Sequence, residues 1–377
     1  MNIGIDARPV LKYSTGVGNY VLNLILALSR QDHENPYHLF FSSYRDRPVN
    51  LPWVVPPANW HVKDYHLPSR LMNFLWNNMG KLSFNLLLDE VDIFHFTGDI
   101  AYPLKNIPTI ATICDLYHLR HPECVDKKFR IDQPLFIKKI KAVSKIIAIS
   151  EFTKQDLIEL CGIQEKKIIV IHLGVDHSVF QTSDPLKCAA LLKARFHLEE
   201  DFLLSVGTIE TRKNYPRLIE AFRQIREKHP SLKLVLAGGK GWGFDQVEAT
   251  VRFLGMESSV LLTGYLQPEE LTCLYGCARA FVMTSQYEGF GLPLLEAFAC
   301  GIPSAVSNCT ALSEIAGDAA LLFDPNQTED IAEKILQALE NDDALKEKGV
   351  ARARQFSWED TARKTLEIYK SLEKNVT

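Results

Sequence analysis

Short runs of apolar and β-branched residues alternate with amphipathic stretches along the whole chain, and this alternation starts again near the middle. The first run is 2–6, and the run that opens the second series is 202–206. Runs of this length, separated by helical patterns, predict βαβ units and mostly parallel sheets covered by helices. We therefore expect an α/β fold with two doubly wound domains, and a ligand between them at the carboxyl ends of the strands.

The domain boundaries follow from where the two series lie. The 377 residues suffice for two domains, a first over 1–178 and a second over 199–357. The stretch 179–198 contains Ser183-Asp184-Pro185 and lacks strand character, so it predicts a linker. The terminal stretch 358–377 has helical apolar spacing, and we expect this helix to cross back to the N-terminal domain.

Composition argues against several classes of protein. The 42 basic and 46 acidic side chains give a net charge of −4, which does not suit a nucleic-acid-binding protein. No run of about 18 apolar residues occurs, and Asp6 and Arg8 interrupt the apolar core that a signal peptide needs, so we expect a cytoplasmic protein. The eight cysteines include no CxxC pair, so neither a disulfide scaffold nor a zinc site is expected.

The segment 285–301 is the strongest candidate for a ligand site. Gly289 and Gly291 permit a tight loop at the start of a helix, whose N-terminus favours anionic oxygens. Glu288 and Glu296 frame this loop, and carboxylates accept strong hydrogen bonds from sugar hydroxyls. The alternative is a capped surface helix with solvated glutamates.

The string YEGFGLPLLEAFACGIPSAVSN at 287–308, with two glutamates separated by seven residues, resembles the donor-site signature of retaining GT-B glycosyltransferases of family 4. The resemblance extends to 207–214, 264–266 and 311–320, and it covers nearly the whole chain. It implies two Rossmann-like domains, the first on the acceptor side and the second binding the donor. The implied activity is transfer of a sugar from a nucleoside-diphosphate donor with retention at the anomeric carbon.

The resemblance also implies roles for individual residues. Glu288 would contact the hydroxyls of the donor sugar, Glu296 the ribose, and Arg212 and Lys213 the departing diphosphate. The implied catalytic residues are Arg212, Lys213, Glu288 and Asp115. The implied donor-binding residues are Gly16, Gly18, Thr208, Tyr265, Leu266, Gly289, Phe290, Gly291, Leu292 and Glu296.

The residues themselves support the role of Arg212-Lys213. Cations at a helix N-terminus oppose the helix dipole, so an anionic ligand explains this pair better than a solvated surface pair does. A diphosphate leaving group gains charge in the transition state, where preorganised cations stabilise it most.

A metal-dependent transferase would present Asp-x-Asp at the end of a strand to bridge a divalent ion to the diphosphate. The nearest match, Glu90-Val-Asp92, precedes a predicted strand and is better explained as a solvated turn. We therefore expect a metal-independent enzyme, with protein cations in place of the metal, and no cofactor besides the substrate nucleotide sugar.

The end of the strand predicted at 109–113 departs from the family. Many relatives carry His-Asp there, whereas this chain has Cys114-Asp115, and a thiol cannot replace the proton chemistry of an imidazole. His118 or His121 could fill that place, or both could be surface loop residues. His95 ends another predicted strand and is either a cleft residue or a satisfied core histidine. The acceptor-side candidates are therefore His95, Cys114 and His118.

A basic stretch with interleaved apolar residues covers 127–145. It predicts either a solvated surface helix or a helix that docks on an anionic membrane surface. The stretch 70–79 is also apolar, and predicts an acceptor-binding or membrane-facing helix or a part of the core.

The sequence as a whole predicts a cytoplasmic hexosyltransferase, peripheral on the inner face of the membrane. Its acceptor would be a glycan or a lipid-linked glycan in cell-surface polysaccharide or lipopolysaccharide biosynthesis. GDP-mannose is the favoured donor and a UDP-hexose the second candidate. The alternatives are a degenerate protein that binds the donor without turnover, which Cys114 supports, and a nucleotide-sugar epimerase of the same fold.

Overall fold

The computed structural model of the chain divides into two compact units. The first contains Met1–Arg120, Arg130–Gly174 and Trp358–Thr377, and the second contains His121–Phe129 and Val175–Ser357. The structure describes residues 1–12, 15–43, 58–65, 91–98, 104, 106–125, 132–181, 185–340 and 342–373. Within these ranges, no helix is long and apolar enough to cross a membrane.

The described strands form two sheets, one in each unit. They are β1 (Ile3–Asp6), β2 (Tyr37–Ser42), β3 (Trp60–Tyr65), β4 (Ile93–Phe96), β5 (Thr109–Ile113), β6 (Lys145–Ala148), β7 (Ile168–Val170), β8 (Phe202–Val206), β9 (Lys233–Ala237), β10 (Val260–Gly264), β11 (Ala280–Met283), β12 (Ser304–Ser307) and β13 (Leu321–Phe323).

Helices separate most of the strands. They are α1 (Gly16–Gln31), α2 (Tyr117–Arg120), α3 (Gln133–Ala142), α4 (Glu151–Cys161), α5 (Pro185–Phe196), α6 (Tyr215–Arg226), α7 (Phe244–Phe253), α8 (Pro268–Cys277), α9 (Leu292–Ala299), α10 (Thr310–Ala316), α11 (Thr328–Glu340), α12 (Asp342–Ala353) and α13 (Trp358–Glu373).

The first unit contains a seven-stranded sheet of order β3-β2-β1-β4-β5-β6-β7, and all neighbouring strands run parallel. Helix α1 begins where the Thr15 hydroxyl accepts a hydrogen bond from the Gly18 N–H at 3.1 Å. The last helix of the chain, α13, packs along α1, with the rings of Tyr20 and Trp358 6.4 Å apart.

The second unit contains a six-stranded parallel sheet of order β10-β9-β8-β11-β12-β13. Its core is a large apolar cluster between the sheet and helices such as α6 and α11. In both sheets the strand order reverses once, between β1 and β4 and between β8 and β11. Loops that leave neighbouring strands in opposite directions open a crevice at the carboxyl edge, which is where such sheets bind ligands. The predicted fold class, α/β with two doubly wound sheets, is confirmed.

The segment expected to be a linker, 179–198, instead carries helix α5. Cys188 and Leu192, four residues apart, are buried on one face of this helix, which packs against α8 in the second unit. Pro185 is its first residue, a position that suits proline in a helix, so a residue that suggested a linker begins a helix.

Two of the predicted features lie wholly or partly outside the described residues. The apolar stretch 70–79 lies outside the described residues, and so do residues 127–131 of the basic stretch. The later part of the basic stretch forms α3, which buries Phe136 and Ile140 and exposes Lys138 and Lys141.

Candidate active site

The crevice of the second sheet lies between β8 and β11, and the loops after these two strands carry most of the predicted donor-site residues. The loop after β8 begins at Gly207, whose φ is +145°. A Cβ on Gly238, in the loop after β9, would lie 2.0 Å from the carbonyl oxygen of Gly207. The two loops therefore pack backbone against backbone, an approach that glycine at position 238 permits.

Arg212 and Lys213 lie in a short 3-10 turn between β8 and α6. Two hydrogen bonds tie this turn to the loop after β11. The Gln286 N–H donates to the Arg212 carbonyl at 2.8 Å, and the Thr284 hydroxyl donates to the Lys213 carbonyl at 2.9 Å. The main chain thus places both cations beside the segment that carries Glu288.

Glu288 binds both cations through its two carboxylate oxygens. Lys213 Nζ donates to Oε1 at 2.6 Å, and Arg212 Nη1 donates to Oε2 at 2.9 Å. Arg212 Nε also donates to the Glu210 carboxylate at 2.9 Å. Burial favours the neutral acid, but the charges of Arg212 and Lys213 outweigh burial and lower the pKa of Glu288 to about 2. Glu288 is therefore ionised near neutral pH, whereas burial lowers the pKa of the Lys213 ammonium, which the neighbouring Glu288 carboxylate partly counteracts.

The segment Gly289–Leu292 leads from Glu288 into helix α9. Gly291 precedes the helix with a φ of +113°, a conformation that favours glycine. The Phe290 ring is buried and packs edge-on against Phe356, with centroids 6.1 Å apart. The backbone of this segment, rather than the Phe290 ring, is thus what a ligand can meet, beside the positive end of the helix dipole.

Glu296 lies in the second turn of α9 and is also buried. The Tyr275 hydroxyl, from α8, donates to Glu296 Oε2 at 2.7 Å. Burial raises the pKa of the Glu296 carboxyl to about 7, and the hydrogen bond from Tyr275 moderates that rise. The two glutamates of the motif therefore differ: Glu288 is held ionised, whereas Glu296 titrates near neutral pH.

Three further predicted donor residues follow strands of the same sheet edge. Thr208, after β8, is exposed, and Tyr265, after β10, is 51% exposed. Leu266 is buried, so its backbone is the part that a ligand can reach.

The predicted residues of the first unit follow β1 and β5. Gly16 and Gly18 form the first turn of α1, and among the described residues nothing beyond its chain neighbours and the helix backbone lies within 4 Å of where a Cβ on Gly16 would be. Cys114 and Asp115 directly follow β5, and Asp115 Oδ1 accepts a hydrogen bond from the backbone N–H of Tyr117 at 3.1 Å. These positions lie at the carboxyl edge of the first sheet, which is where open α/β sheets bind their ligands.

Two histidines of the first unit have clear packing roles. His95 is fully buried, its Nδ1 2.7 Å from the Tyr369 hydroxyl and its Nε2 2.8 Å from the Thr112 hydroxyl. Burial lowers its pKa to about 3, so it stays neutral. The geometry favours a satisfied core histidine over a cleft residue. The His118 ring packs edge-on against Phe136 at 4.9 Å, and burial lowers its pKa as well.

Sequence reasoning missed one residue that the structure brings to the candidate site, Tyr275, and left the role of another, His121, open. Tyr275 has no local motif, and only the packing of α8 against α9 reveals its contact with Glu296. His121 belongs to the second unit, where its ring lies edge-on to Tyr287 at 6.1 Å, next to Glu288. The sequence had left open whether His121 fills the place of the family histidine or is a surface loop residue.

The rejected metal motif is only partly described. Asp92 Oδ2 accepts a hydrogen bond from the Asn2 N–H at 2.6 Å before β4, and Glu90 lies outside the described residues. Within the described ranges, no three His, Cys, Asp or Glu side chains are grouped to hold a metal ion. Metal independence stays a prediction.

Comparison with known proteins agrees with this architecture. The family models "Glycosyltransferase Family 4" and "Glycosyl transferases group 1" match residues 14–179 and 192–356. O-antigen chain mannosyltransferase B of Escherichia coli is 30% identical over 99% of this chain and 100% of its own length.

Two solved structures share the fold at low sequence identity. Sucrose-phosphate synthase from Thermosynechococcus elongatus gives a TM-score of 0.78 at 19% identity, covering 99% of both chains. HepE from Anabaena, in complex with UDP and glucose, gives 0.75 at 16% identity, covering 98% of this chain and 99% of its own. The two doubly wound sheets thus define a protein of the GT-B class. The chain belongs to the group 1 glycosyltransferases of family 4, which confirms the predicted family and enzyme class.

Proposed function

We propose that the protein is a retaining, metal-independent glycosyltransferase that moves a hexose from a nucleoside-diphosphate donor to a glycan or lipid-linked acceptor. The observation that carries this proposal is the cluster of buried Lys213 and Glu288 with half-buried Arg212 at the crevice between β8 and β11. Two fixed cations beside a helix N-terminus suit a diphosphate, and an ionised carboxylate suits sugar hydroxyls.

Arg212 and Lys213 would act on the leaving group. When the bond between the anomeric carbon and the diphosphate oxygen breaks, negative charge develops on that oxygen. Cations that are already in place stabilise this charge without reorganisation, which lowers the barrier. The residues thereby do the work that a divalent ion does in metal-dependent transferases.

Retention follows if the acceptor attacks on the face that the diphosphate leaves. The acceptor oxygen forms the new bond to the anomeric carbon, and the acceptor hydroxyl proton passes to the departing phosphate oxygen. The leaving phosphate is thus the base, so an imidazole at position 114 is not required. Asp115, at the end of β5, would accept a hydrogen bond from the acceptor hydroxyl and orient it.

GDP-mannose is the donor that we propose first. A mannosyltransferase of O-antigen synthesis aligns with this chain along almost its full length, which supports mannose as the sugar and cell-surface polysaccharide as the product. A UDP-hexose is the second candidate, since the HepE structure of the same fold holds UDP and glucose.

A lipid-linked acceptor would bring the protein to the cytoplasmic face of a membrane. The exposed Lys138 and Lys141 on α3 support contact with anionic lipid, at about 1 kcal/mol per basic residue near the surface. We expect sedimentation with vesicles that contain phosphatidylglycerol but not with pure phosphatidylcholine vesicles. Equal sedimentation with both would contradict the electrostatic docking.

A donor panel tests the proposed function. Purified protein is incubated with GDP-mannose, UDP-glucose and UDP-N-acetylglucosamine, each with and without an acceptor extract, and nucleotide release is measured. We expect GDP release that depends on acceptor, and a product with the anomeric configuration of the donor by NMR. No nucleotide release from any donor, or an inverted product, would contradict the proposal.

A further inference from the structure

Tyr275 is a fully buried tyrosine whose hydroxyl is held against helix α9. Its ring lies 5.8 Å from that of Phe180 and 6.0 Å from that of Phe281. Its hydroxyl lies 2.7 Å from Glu296 Oε2 and 3.3 Å from the carbonyl oxygen of Pro293. Packing on the ring fixes the hydroxyl, and the hydroxyl in turn fixes the Glu296 carboxyl.

The two oxygens of that carboxyl have different surroundings. Oε2 accepts the hydrogen bond from Tyr275, whereas Oε1 makes no hydrogen bond to any residue within the described ranges. Glu296 as a whole is 7% exposed. Oε1 is not among the fully enclosed polar atoms without a partner in the described ranges, so it keeps some contact with solvent and can accept a hydrogen bond from a ligand hydroxyl.

We propose that Tyr275 is a positioning residue for the donor's ribose, holding Oε2 so that Oε1 of Glu296 accepts hydrogen bonds from the ribose hydroxyls. This inference rests on the proposed function, which assigns the ribose to Glu296. Tyr275 itself does not touch the donor. Its contribution is to choose one orientation of the carboxylate and to favour its ionised form, and the site would thereby distinguish ribose from a sugar without these hydroxyls.

The arrangement makes ribose recognition depend on pH. Within the described ranges, the titratable groups that interact with Glu296 are Tyr275 on α8 and Cys300 at the end of α9. Burial keeps both neutral near pH 7 because it raises their pKa values, that of Cys300 to about 12. Glu296, whose pKa is about 7, is the group that changes charge. A carboxylate accepts ribose O–H groups better than a carboxylic acid does, so ribose recognition strengthens as the pH rises through 7.

The experiment compares the binding of GDP with that of 2′,3′-dideoxy-GDP by calorimetry, for the wild type and Tyr275→Phe, at pH 6 and pH 8. The ratio of the two affinities cancels the titration of the phosphates. We expect Tyr275→Phe to weaken GDP binding about fivefold or more at pH 8, the scale for losing a hydrogen bond to a charged group, with dideoxy-GDP changed less than about twofold. The wild-type ratio should rise from pH 6 to pH 8, and in the variant this rise should move to higher pH.

A matched control comes from the first unit. Tyr369→Phe also removes a buried tyrosine hydroxyl that bonds a titratable side chain, His95, and it should leave the GDP to dideoxy-GDP ratio unchanged. A Tyr275→Phe protein with the wild-type ratio and pH profile would overturn the inference alone. If that variant does not fold, a wild-type ratio that is equal at pH 6 and pH 8 overturns it.

The proposed function has its own failure signature in the same experiment. If GDP does not bind the wild type, UDP and 2′,3′-dideoxy-UDP replace the pair. Binding of neither GDP nor UDP would overturn the proposed function and the inference with it.

Discussion

The Lys213 ammonium and the Glu288 carboxylate lie 2.6 Å apart, and both side chains are buried. Withdrawing two charges from water costs several kcal/mol per ion, so a buried ion pair is weak evidence of selection for stability. This pair lies where the strand order of the sheet reverses, with Arg212 on the same carboxylate. A costly pair in a ligand crevice is better explained by function, and it gives the protein a measurable response to acid.

Glu288→Gln should remove that response. The folded pKa of Glu288 is about 2, below its ordinary 4.5, so the unfolded state binds more protons between these values. The stabilisation is complete above pH 4.5 and is lost as the pH falls towards 2, on the order of 3 kcal/mol in full. Thermal unfolding from pH 7 to pH 3 should show that the wild type is more stable than Glu288→Gln at pH 7. The difference in stability between the two proteins should shrink as the pH falls. A gap that is constant with pH would contradict the assignment.

Glu296→Gln should stabilise the protein, whereas Glu288→Gln should destabilise it. The folded pKa of about 7 lies above the ordinary 4.5, so the folded state holds the extra proton and stability falls as the pH rises between these values. At pH 8 the variant should be more stable than the wild type by about 2 kcal/mol, and at pH 5 the two should be alike. Denaturant titrations of both proteins at both pH values check this, and a variant less stable than the wild type at pH 8 would show that burial does not destabilise the carboxylate.

Cys114→Ala should keep activity within about threefold of the wild type, since a thiol there acts as a small packing group. Asp115→Asn should lower kcat at least about tenfold, because the negative charge that orients the acceptor hydroxyl is gone. The local structure should persist, since the amide oxygen can still accept the hydrogen bond from the Tyr117 N–H. Both variants should bind donor normally. A Cys114→Ala protein that folds and binds donor but does not transfer the sugar would show that the Cys114 thiol is essential, and would contradict its role as a packing group.

Chelation should not affect the enzyme if Arg212 and Lys213 replace a metal. We expect donor binding and transfer to be unchanged in excess EDTA, and added magnesium to give no stimulation. A loss of activity in EDTA that magnesium restores would show that the reaction uses a divalent ion.

Much of the fold could be predicted, because parallel sheets buried on both faces are built from recognisable apolar runs such as Thr109–Ile113 and Phe202–Val206. The strand Trp60–Tyr65 was not predicted. It lies at the edge of its sheet and is only partly buried, so polar residues interrupt its apolar pattern. The helix Pro185–Phe196 was taken for a linker because a proline can equally mark a loop or the first turn of a helix.

In the candidate site too, some residues could be predicted from local sequence and others could not. Glu288 and Glu296 lie in one short motif, and Arg212-Lys213 directly precedes a helix, so local sequence indicates all four. Local sequence cannot indicate that Tyr275 meets Glu296, because that contact depends on how two helices pack. It also could not decide whether His95 is a core residue, since its partners Thr112 and Tyr369 are distant in the chain.

The central claim is that Lys213 stabilises the donor's leaving diphosphate, and the most direct test is the kcat/KM of Lys213→Ala for GDP-mannose. Lys233→Ala is the matched control. Lys233 begins β9 and so lies at the amino end of the strands of the same sheet, away from the carboxyl ends that carry the candidate site. The account predicts a loss of about a hundredfold or more for Lys213→Ala, the scale for one preorganised charge, and wild-type activity for Lys233→Ala. A folded Lys213→Ala protein within about threefold of the wild type would contradict it.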